Sequence, residues 1–133
     1  MERIRRLGDE NIIMVNNNLE ITAELVDANR AACRLLMEDM AGAIVIIIDY
    51  REAKTNFAEI IKIMKGNQAG KRADLNQKTF TIMVGTDQLV NMYRDTMLQE
   101  KSGAVQVPYF SDMDKALQAA RIYLEDKAKE NAG

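Results

Sequence analysis

The sequence contains no histidine and no tryptophan, and it has only one cysteine and one proline among its 133 residues. Without histidine, the chain cannot build a Ser-His-Asp or Cys-His catalytic arrangement, nor a zinc site with histidine ligands. The single cysteine, Cys33, cannot form an intramolecular disulfide, which favours a reducing compartment. We therefore expect a protein that uses neither imidazole chemistry nor disulfide bonds.

Long apolar runs and a strong excess of one charge are also missing. The longest apolar run, at 43–48, is far shorter than the roughly 20 residues that span a bilayer. The charged first residues do not lead into a signal-peptide pattern. Lysine and arginine number 18 and aspartate and glutamate 20, a net charge of −2, which argues against a dedicated nucleic-acid binder. We expect one cytoplasmic domain over 1–133, without a membrane span and with a frayed tail at 127–133.

What the sequence does have is a regular alternation of strand and helix patterns. Turn residues between two short apolar runs predict an N-terminal β-hairpin, and apolar residues then recur every three or four positions, which is typical of a helix. Each later strand is followed by a helical stripe, so strand–helix–strand steps predict parallel crossovers. The predicted fold is α/β, with a mixed sheet and four main helices. The predicted strands lie at 3–7, 12–15, 43–50, 79–84 and 105–110, and the predicted helices at 21–40, 57–64, 89–97 and, after a cap at Ser111, up to about 124.

Two segments resemble a known family. Segment 46–51, Ile-Ile-Ile-Asp-Tyr-Arg, and segment 107–117, together with the order of elements, resemble the STAS-like superfamily of sulfate transporter and anti-sigma factor antagonist domains. The resemblance is to its small stand-alone SpoIIAA-like members of bacteria, and it covers roughly 3–124. It implies a regulatory module without catalysis or cofactor. In the antagonist branch, a partner Ser/Thr kinase phosphorylates a hydroxyl at the start of the helix after the central strand, and the unphosphorylated form binds its protein partner, such as an anti-sigma factor.

The matching stretch here is 50–57, in which Thr55 is the phosphoacceptor candidate. This stretch departs from the Asp-Ser-Ser-Gly pattern of the family, since it contains no serine and no glycine. A phosphate on Thr55 would lie at a helix N-terminus near Arg51 and Lys54, where negative charge is favoured. An ordinary capping hydroxyl is the alternative. The predicted partner-binding residues are Asp49, Tyr50, Arg51, Glu52, Lys54, Asn56, Thr86 and Asp87.

Asp49 also invites other interpretations, because open α/β sheets bind ligands beyond the carboxyl ends of their strands. A phosphorelay receiver has an aspartate after a central strand, but it needs an acidic pair after its first strand, and here the first two runs end in Leu7 and Asn16. We expect no metal site. A small-molecule or lipid binder with a pocket between sheet and helices is the main alternative, and an enzyme using Asp49 comes third. Pairing of an edge strand would give a homodimer.

Overall fold

The computed structural model describes residues 3–17, 20, 22–52, 58, 79–86 and 108–132. Within these residues the fold is α/β, and its five strands form one mixed sheet in the order β1-β2-β3-β4-β5. Strand β1 runs antiparallel to β2, whereas β2, β3, β4 and β5 are parallel. The elements are β1 (Ile4–Arg6), β2 (Ile12–Asn16), α1 (Ala23–Met37), β3 (Ile44–Asp49), β4 (Thr79–Val84), β5 (Tyr109–Phe110) and α2 (Met113–Ala132).

The N-terminal hairpin forms where the turn residues predict it. Gly8 has a φ of 54°, a left-handed conformation that glycine adopts without a steric cost. The turn closes when the Leu7 amide donates to the Ile12 carbonyl at 2.9 Å and the Glu10 amide donates to the Leu7 carbonyl at 3.0 Å. The hairpin therefore follows from local turn chemistry together with the two short apolar runs.

Strand β3 is the centre of the sheet because it is apolar on both of its faces. Ile44 and Ile46 point to the side that α1 covers, while Val45 and Ile47 point to the side that α2 covers. A β-branched run without alternation is typical of a strand that is buried on both faces. One core cluster, under α1, contains Ile13, Val15, Cys33, Met37, Met40, Ile44 and Ile46, and the other, under α2, contains Ile12, Val45, Ile47, Ile82, Val84, Ala116 and Ala120.

Helix α1 begins after an N-cap at Thr22, whose side-chain oxygen accepts a hydrogen bond from the Leu25 amide at 3.2 Å. This bond satisfies one of the amide groups that the first turn of a helix leaves unpaired. The helix ends at Met37, three residues before the predicted end at 40, and Gly42 with a φ of 83° turns the chain into β3.

Helix α2 differs from its prediction at both ends. Ser111 was predicted as its cap, but Asp112 takes that position: its carboxylate accepts from the Asp114 amide at 2.9 Å, and its carbonyl accepts from the Ala116 amide at 3.2 Å. At the other end, the helix continues to Ala132 through most of the segment predicted to fray. Lys127 stabilises this last part, because its ammonium binds the Glu130 carboxylate at 3.2 Å.

The α/β class, the hairpin and the parallel strands are thus confirmed, whereas the helices are confirmed in part. The described residues contain two of the four predicted helices, whereas the other two, predicted at 57–64 and 89–97, lie outside the described residues except for Ala58, which is helical. No helix in the described part of the chain is long and apolar enough to cross a membrane.

Candidate functional site

The four parallel strands end in one row. Asn16 pairs with Asp49, Asp49 pairs with Val84, and Val84 pairs with Phe110 across the sheet. We call these four residues, together with the described residues that follow them, the carboxyl edge. The residues that follow are Asn17, Tyr50, Arg51, Glu52, Gly85, Thr86, Ser111, Asp112 and Met113. Ligands of open α/β sheets bind at this kind of edge, because the loops that leave the strands there are free to carry side chains of any chemistry.

A bidentate ion pair lies at the centre of the carboxyl edge. One oxygen of the Asp49 carboxylate accepts from the Arg51 amide at 3.1 Å and from Arg51 Nε at 3.0 Å. The other oxygen accepts from Arg51 Nη2 at 2.9 Å. The Asp49 side chain is 12% exposed, whereas the Arg51 side chain is 46% exposed. A nearly buried carboxylate therefore holds a half-exposed guanidinium in one orientation.

The electrostatic surroundings keep this guanidinium charged. Hydrogen bonding to Asp49 is the largest cause that raises the pKa of Arg51 above its ordinary value, and partial burial opposes it. The charges of Asp49, Glu52 and Asp112 raise that pKa further. Arg51 is therefore a permanent cation among three carboxylates, two of which come from the exposed loops after β3 and β5.

The main chain around Asp49 is fixed on both sides. The Asn17 amide donates to the Asp49 carbonyl at 2.9 Å, and the Tyr50 amide donates to the Val84 carbonyl at 2.6 Å. Strand β3 is thus held by β2 and by β4 up to the point where the chain leaves the sheet. Because Arg51 directly follows Tyr50, its main chain is held by the sheet and does not belong to a long loop.

Asn17, at the carboxyl edge, forms with Asn29 of α1 a pair of buried amides that the sequence analysis missed. Asn29 Nδ2, from α1, donates to Asn17 Oδ1 at 2.7 Å, and the two residues are only 7% and 2% exposed. A signal for Asn29 was present: it lies four residues before Cys33 and eight before Met37, the other two buried residues of α1. A polar residue on the apolar face of a helix is buried when the helix packs, so its side chain needs a hydrogen-bond partner inside the protein.

The structure brings some of the predicted site residues together. Asp49 and Arg51 form the central pair, and Tyr50, Glu52 and Thr86 also lie at the carboxyl edge. Asp112 joins them through its charge, although it was not predicted. The other four predicted residues, Lys54, Thr55, Asn56 and Asp87, lie outside the described residues.

Two chemical roles find no support within the described residues. No group of three or more His, Cys, Asp and Glu side chains there could hold a metal ion. Burial raises the pKa of the Cys33 thiol to about 11, so this thiol stays protonated at neutral pH and is a poor nucleophile. The chemical groups at the carboxyl edge are the fixed Arg51 guanidinium and, around it, hydroxyl, phenol and carboxylate groups.

A second ion pair lies at the opposite end of the sheet. The Glu10 carboxylate binds Arg121 Nε at 2.9 Å and Nη2 at 3.1 Å, and Asn11 Nδ2 donates to the carbonyls of Ala41 at 2.6 Å and Ala43 at 3.1 Å. We call this end, with the hairpin turn, the loop before β3 and the facing part of α2, the amino edge. It contains an open groove of about 440 Å³ lined by Asp9, Glu10, Asn11, Ala41, Gly42, Ala43, Arg121, Leu124, Lys127 and Ala128.

Comparisons with known proteins do not add a relative. No protein-family model, no curated protein and no solved structure matches the chain. The resemblance of segments 46–51 and 107–117 to the STAS-like superfamily therefore stays a prediction, and the function has to be inferred from the carboxyl edge itself.

Proposed function

We propose that this protein is a non-catalytic regulatory module of the STAS-like kind, which binds a protein partner at its carboxyl edge without a cofactor. The observation that supports this proposal best is the Asp49–Arg51 pair. Both oxygens of the nearly buried Asp49 carboxylate bind the half-exposed Arg51 guanidinium and thereby orient it. Such an arrangement serves recognition, because it prepares an arginine for contact before the partner arrives.

The guanidinium still has hydrogen-bond donors to offer. Arginine carries five N–H groups in a planar fork, and the bonds to the Asp49 carboxylate use Nε and Nη2. Within the described part of the chain, the N–H groups of Nη1 have no acceptor, so they can donate to carbonyl or carboxylate oxygens of a partner. Arginine is enriched among the residues that dominate the binding energy of protein interfaces, which fits an interface centred on Arg51.

The proposed switch is phosphorylation of Thr55 by a Ser/Thr kinase. The kinase would transfer a phosphoryl group from ATP to the Thr55 hydroxyl, four residues after Arg51 in the sequence. A phosphate group carries a charge of about −2 at neutral pH and accepts hydrogen bonds strongly, so it would compete with Asp49 for the Arg51 guanidinium. Modification would thereby change the group that the carboxyl edge presents to a partner such as the kinase or an anti-sigma factor.

A small-molecule binder is the second candidate, and the groove at the amino edge favours it. Its volume of about 440 Å³ falls within the range of ligand pockets, about 300–1,000 Å³. However, the cations on its wall are already neutralised within the chain, since Arg121 pairs with Glu10 and Lys127 pairs with Glu130. An anionic ligand would have to displace one of these carboxylates, which makes this candidate the weaker one.

Affinity purification from the native cells, followed by mass spectrometry, tests the proposal. The wild type is compared with Arg51→Ala and with Arg121→Ala, a matched control that breaks the other bidentate pair at the opposite edge. We expect a stoichiometric protein partner with the wild type and with Arg121→Ala. Arg51→Ala should retain at least about tenfold less of it, as expected for a central interface arginine.

Three results would count against this function. They are the absence of any stoichiometric protein partner, equal retention of the partner by Arg51→Ala, and a small molecule bound in place of a protein. The last result would favour the groove at the amino edge. Phosphate mapped to Thr55 in the same experiment would support the switch, whereas a partner bound to a protein whose Thr55 is never modified would exclude it.

A further inference from the structure

The buried Asn17 and Asn29 amides connect α1 to the carboxyl edge. Asn17 directly follows the last residue of β2, so it lies where the ladder between β2 and β3 ends. Its side chain binds Asn29 at 2.7 Å, and its main-chain amide binds the Asp49 carbonyl at 2.9 Å. Three sets of hydrogen bonds, joined by the covalent structure of Asn17 and of Asp49, thus connect α1 to the end of β2, to the end of β3 and to Arg51.

An amide pair is an unusual way to fill this place. Two apolar side chains would pack there without the cost of removing polar groups from water. Exchanging a hydrogen-bonded pair for apolar groups of similar shape is often nearly neutral for stability. What an apolar pair lacks is direction, since a hydrogen bond fixes the distance and the angle between two groups and apolar contacts do not.

We propose that Asn29 is a positioning residue for the carboxyl edge. Its amide fixes Asn17, the main chain of Asn17 fixes the end of β3, and the end of β3 fixes the Asp49 carboxylate that orients Arg51. This inference deepens the proposed function and rests on it, because it assigns the buried pair to the orientation of the guanidinium that meets the partner. It also gives a reason why two amides are buried close to the exposed Arg51.

The test measures the Arg51 Nε–H group by NMR, because this group donates to Asp49 and reports its geometry directly. In Asn29→Leu, which keeps the branched shape and the number of heavy atoms and removes the donor, we expect the Arg51 Nε–H resonance to shift. Its hydrogen exchange should become about fivefold faster, the size expected for losing one hydrogen bond. Asn11→Ala is the matched control, since it removes an equally well-bonded asparagine from the amino edge. Arg121 Nε–H, bound to Glu10, is the internal reference in each variant.

An unchanged Arg51 Nε–H resonance and exchange rate in folded Asn29→Leu would overturn the proposal. A similar change in Asn11→Ala would also overturn it, because the effect would then be a general loss of stability. If Asn29→Leu does not fold, Asn29→Ala provides the same test with a smaller side chain that favours the helix. The measurement needs no partner protein, so it decides the role of Asn29 even where the proposed partner binding fails.

Discussion

Each edge of the sheet has an arginine in a bidentate pair with a carboxylate. The two pairs differ in how far apart their residues lie in the sequence and in how deeply they are buried. At the carboxyl edge, Arg51 and Asp49 are two residues apart and the carboxylate is nearly buried. At the amino edge, Arg121 and Glu10 are 111 residues apart, and their side chains are 54% and 40% exposed. The Glu10–Arg121 pair connects α2 to the hairpin turn. The Asp49–Arg51 pair connects no distant elements, because its residues are neighbours in the sequence, and it fixes the loop that carries Arg51.

The asparagines of the two edges show the same division. Asn11 binds the carbonyls of Ala41 and Ala43, and its own oxygen accepts from Arg6 at 3.0 Å, so one side chain closes the hairpin turn onto the loop before β3. Asn29 and Asn17 bind each other inside the protein, and the main chain of Asn17 binds Asp49, whose carboxylate holds the exposed Arg51. The amino edge is thus organised for holding the chain together, and the carboxyl edge for orienting a side chain.

Removing Asp49 should have the largest effect on stability. Asp49→Ala leaves three donor groups of Arg51 without their carboxylate, and hydrogen bonds to a charged group that is nearly buried are worth about 1.5–3 kcal/mol. We expect the free energy of unfolding, measured by urea titration, to fall by about 2 kcal/mol. Glu10→Ala, at the exposed pair, is the control and should have a clearly smaller effect. An equal loss in the two variants would contradict the contrast between the edges.

Removing the Asn11 side chain should have the next largest effect. Asn11→Ala loses its bonds to Ala41 and Ala43 at a half-buried site, and we expect the free energy of unfolding to fall by about 1–1.5 kcal/mol in urea titration. Asp9→Ala is the matched control in the same turn, because only the main-chain oxygen of Asp9 accepts from Arg6, and it should change stability by less than about 0.5 kcal/mol. If the two variants lose the same stability, the turn rather than the Asn11 side chain is responsible.

Much of this architecture could be predicted from the sequence, because it depends on local patterns. The run at 44–48 predicts a strand buried on both faces, and the residues around Gly8 predict the hairpin turn. The predicted cap of α2 was one residue too early, because Ser111 and Asp112 are both good capping residues. The choice between them depends on the direction in which the chain leaves β5.

The candidate site was only partly accessible to sequence reasoning. Asp49 and Arg51 were predicted as site residues from their place at the end of the central strand and just after it, but their mutual pairing depends on the conformation at the end of β3. Asn29 was missed because the helical pattern was traced through apolar residues alone, although its spacing to Cys33 and Met37 marks it as buried. The Glu10–Arg121 pair, across 111 residues, has no local signal and arises only from the packing of α2 against the sheet.

The smallest expected effect concerns the acid sensitivity of the amino edge. The hydrogen bond from Arg121 is the main cause that lowers the pKa of Glu10 below its ordinary value of 4.5, while desolvation opposes it. A carboxyl group whose pKa is lower in the folded state stabilises the fold above its unfolded pKa, and this stabilisation is lost as the pH falls through the folded value. Arg121→Ala should therefore be slightly less stable than the wild type at neutral pH, and the difference should vanish at an acid pH at which Glu10 is protonated in both states.

Urea titrations at the two pH values measure this difference, and Lys115→Ala, an exposed cation of the same helix, is the control without such a dependence. A difference for Arg121→Ala that persists at acid pH would mean that the arginine acts through packing of its stem rather than through its charge. The same difference should shrink in about 1 M salt at neutral pH, because the pair is exposed and therefore screened. The Asp49–Arg51 pair, whose carboxylate is nearly buried, should be less sensitive to salt, so salt alone distinguishes the two edges.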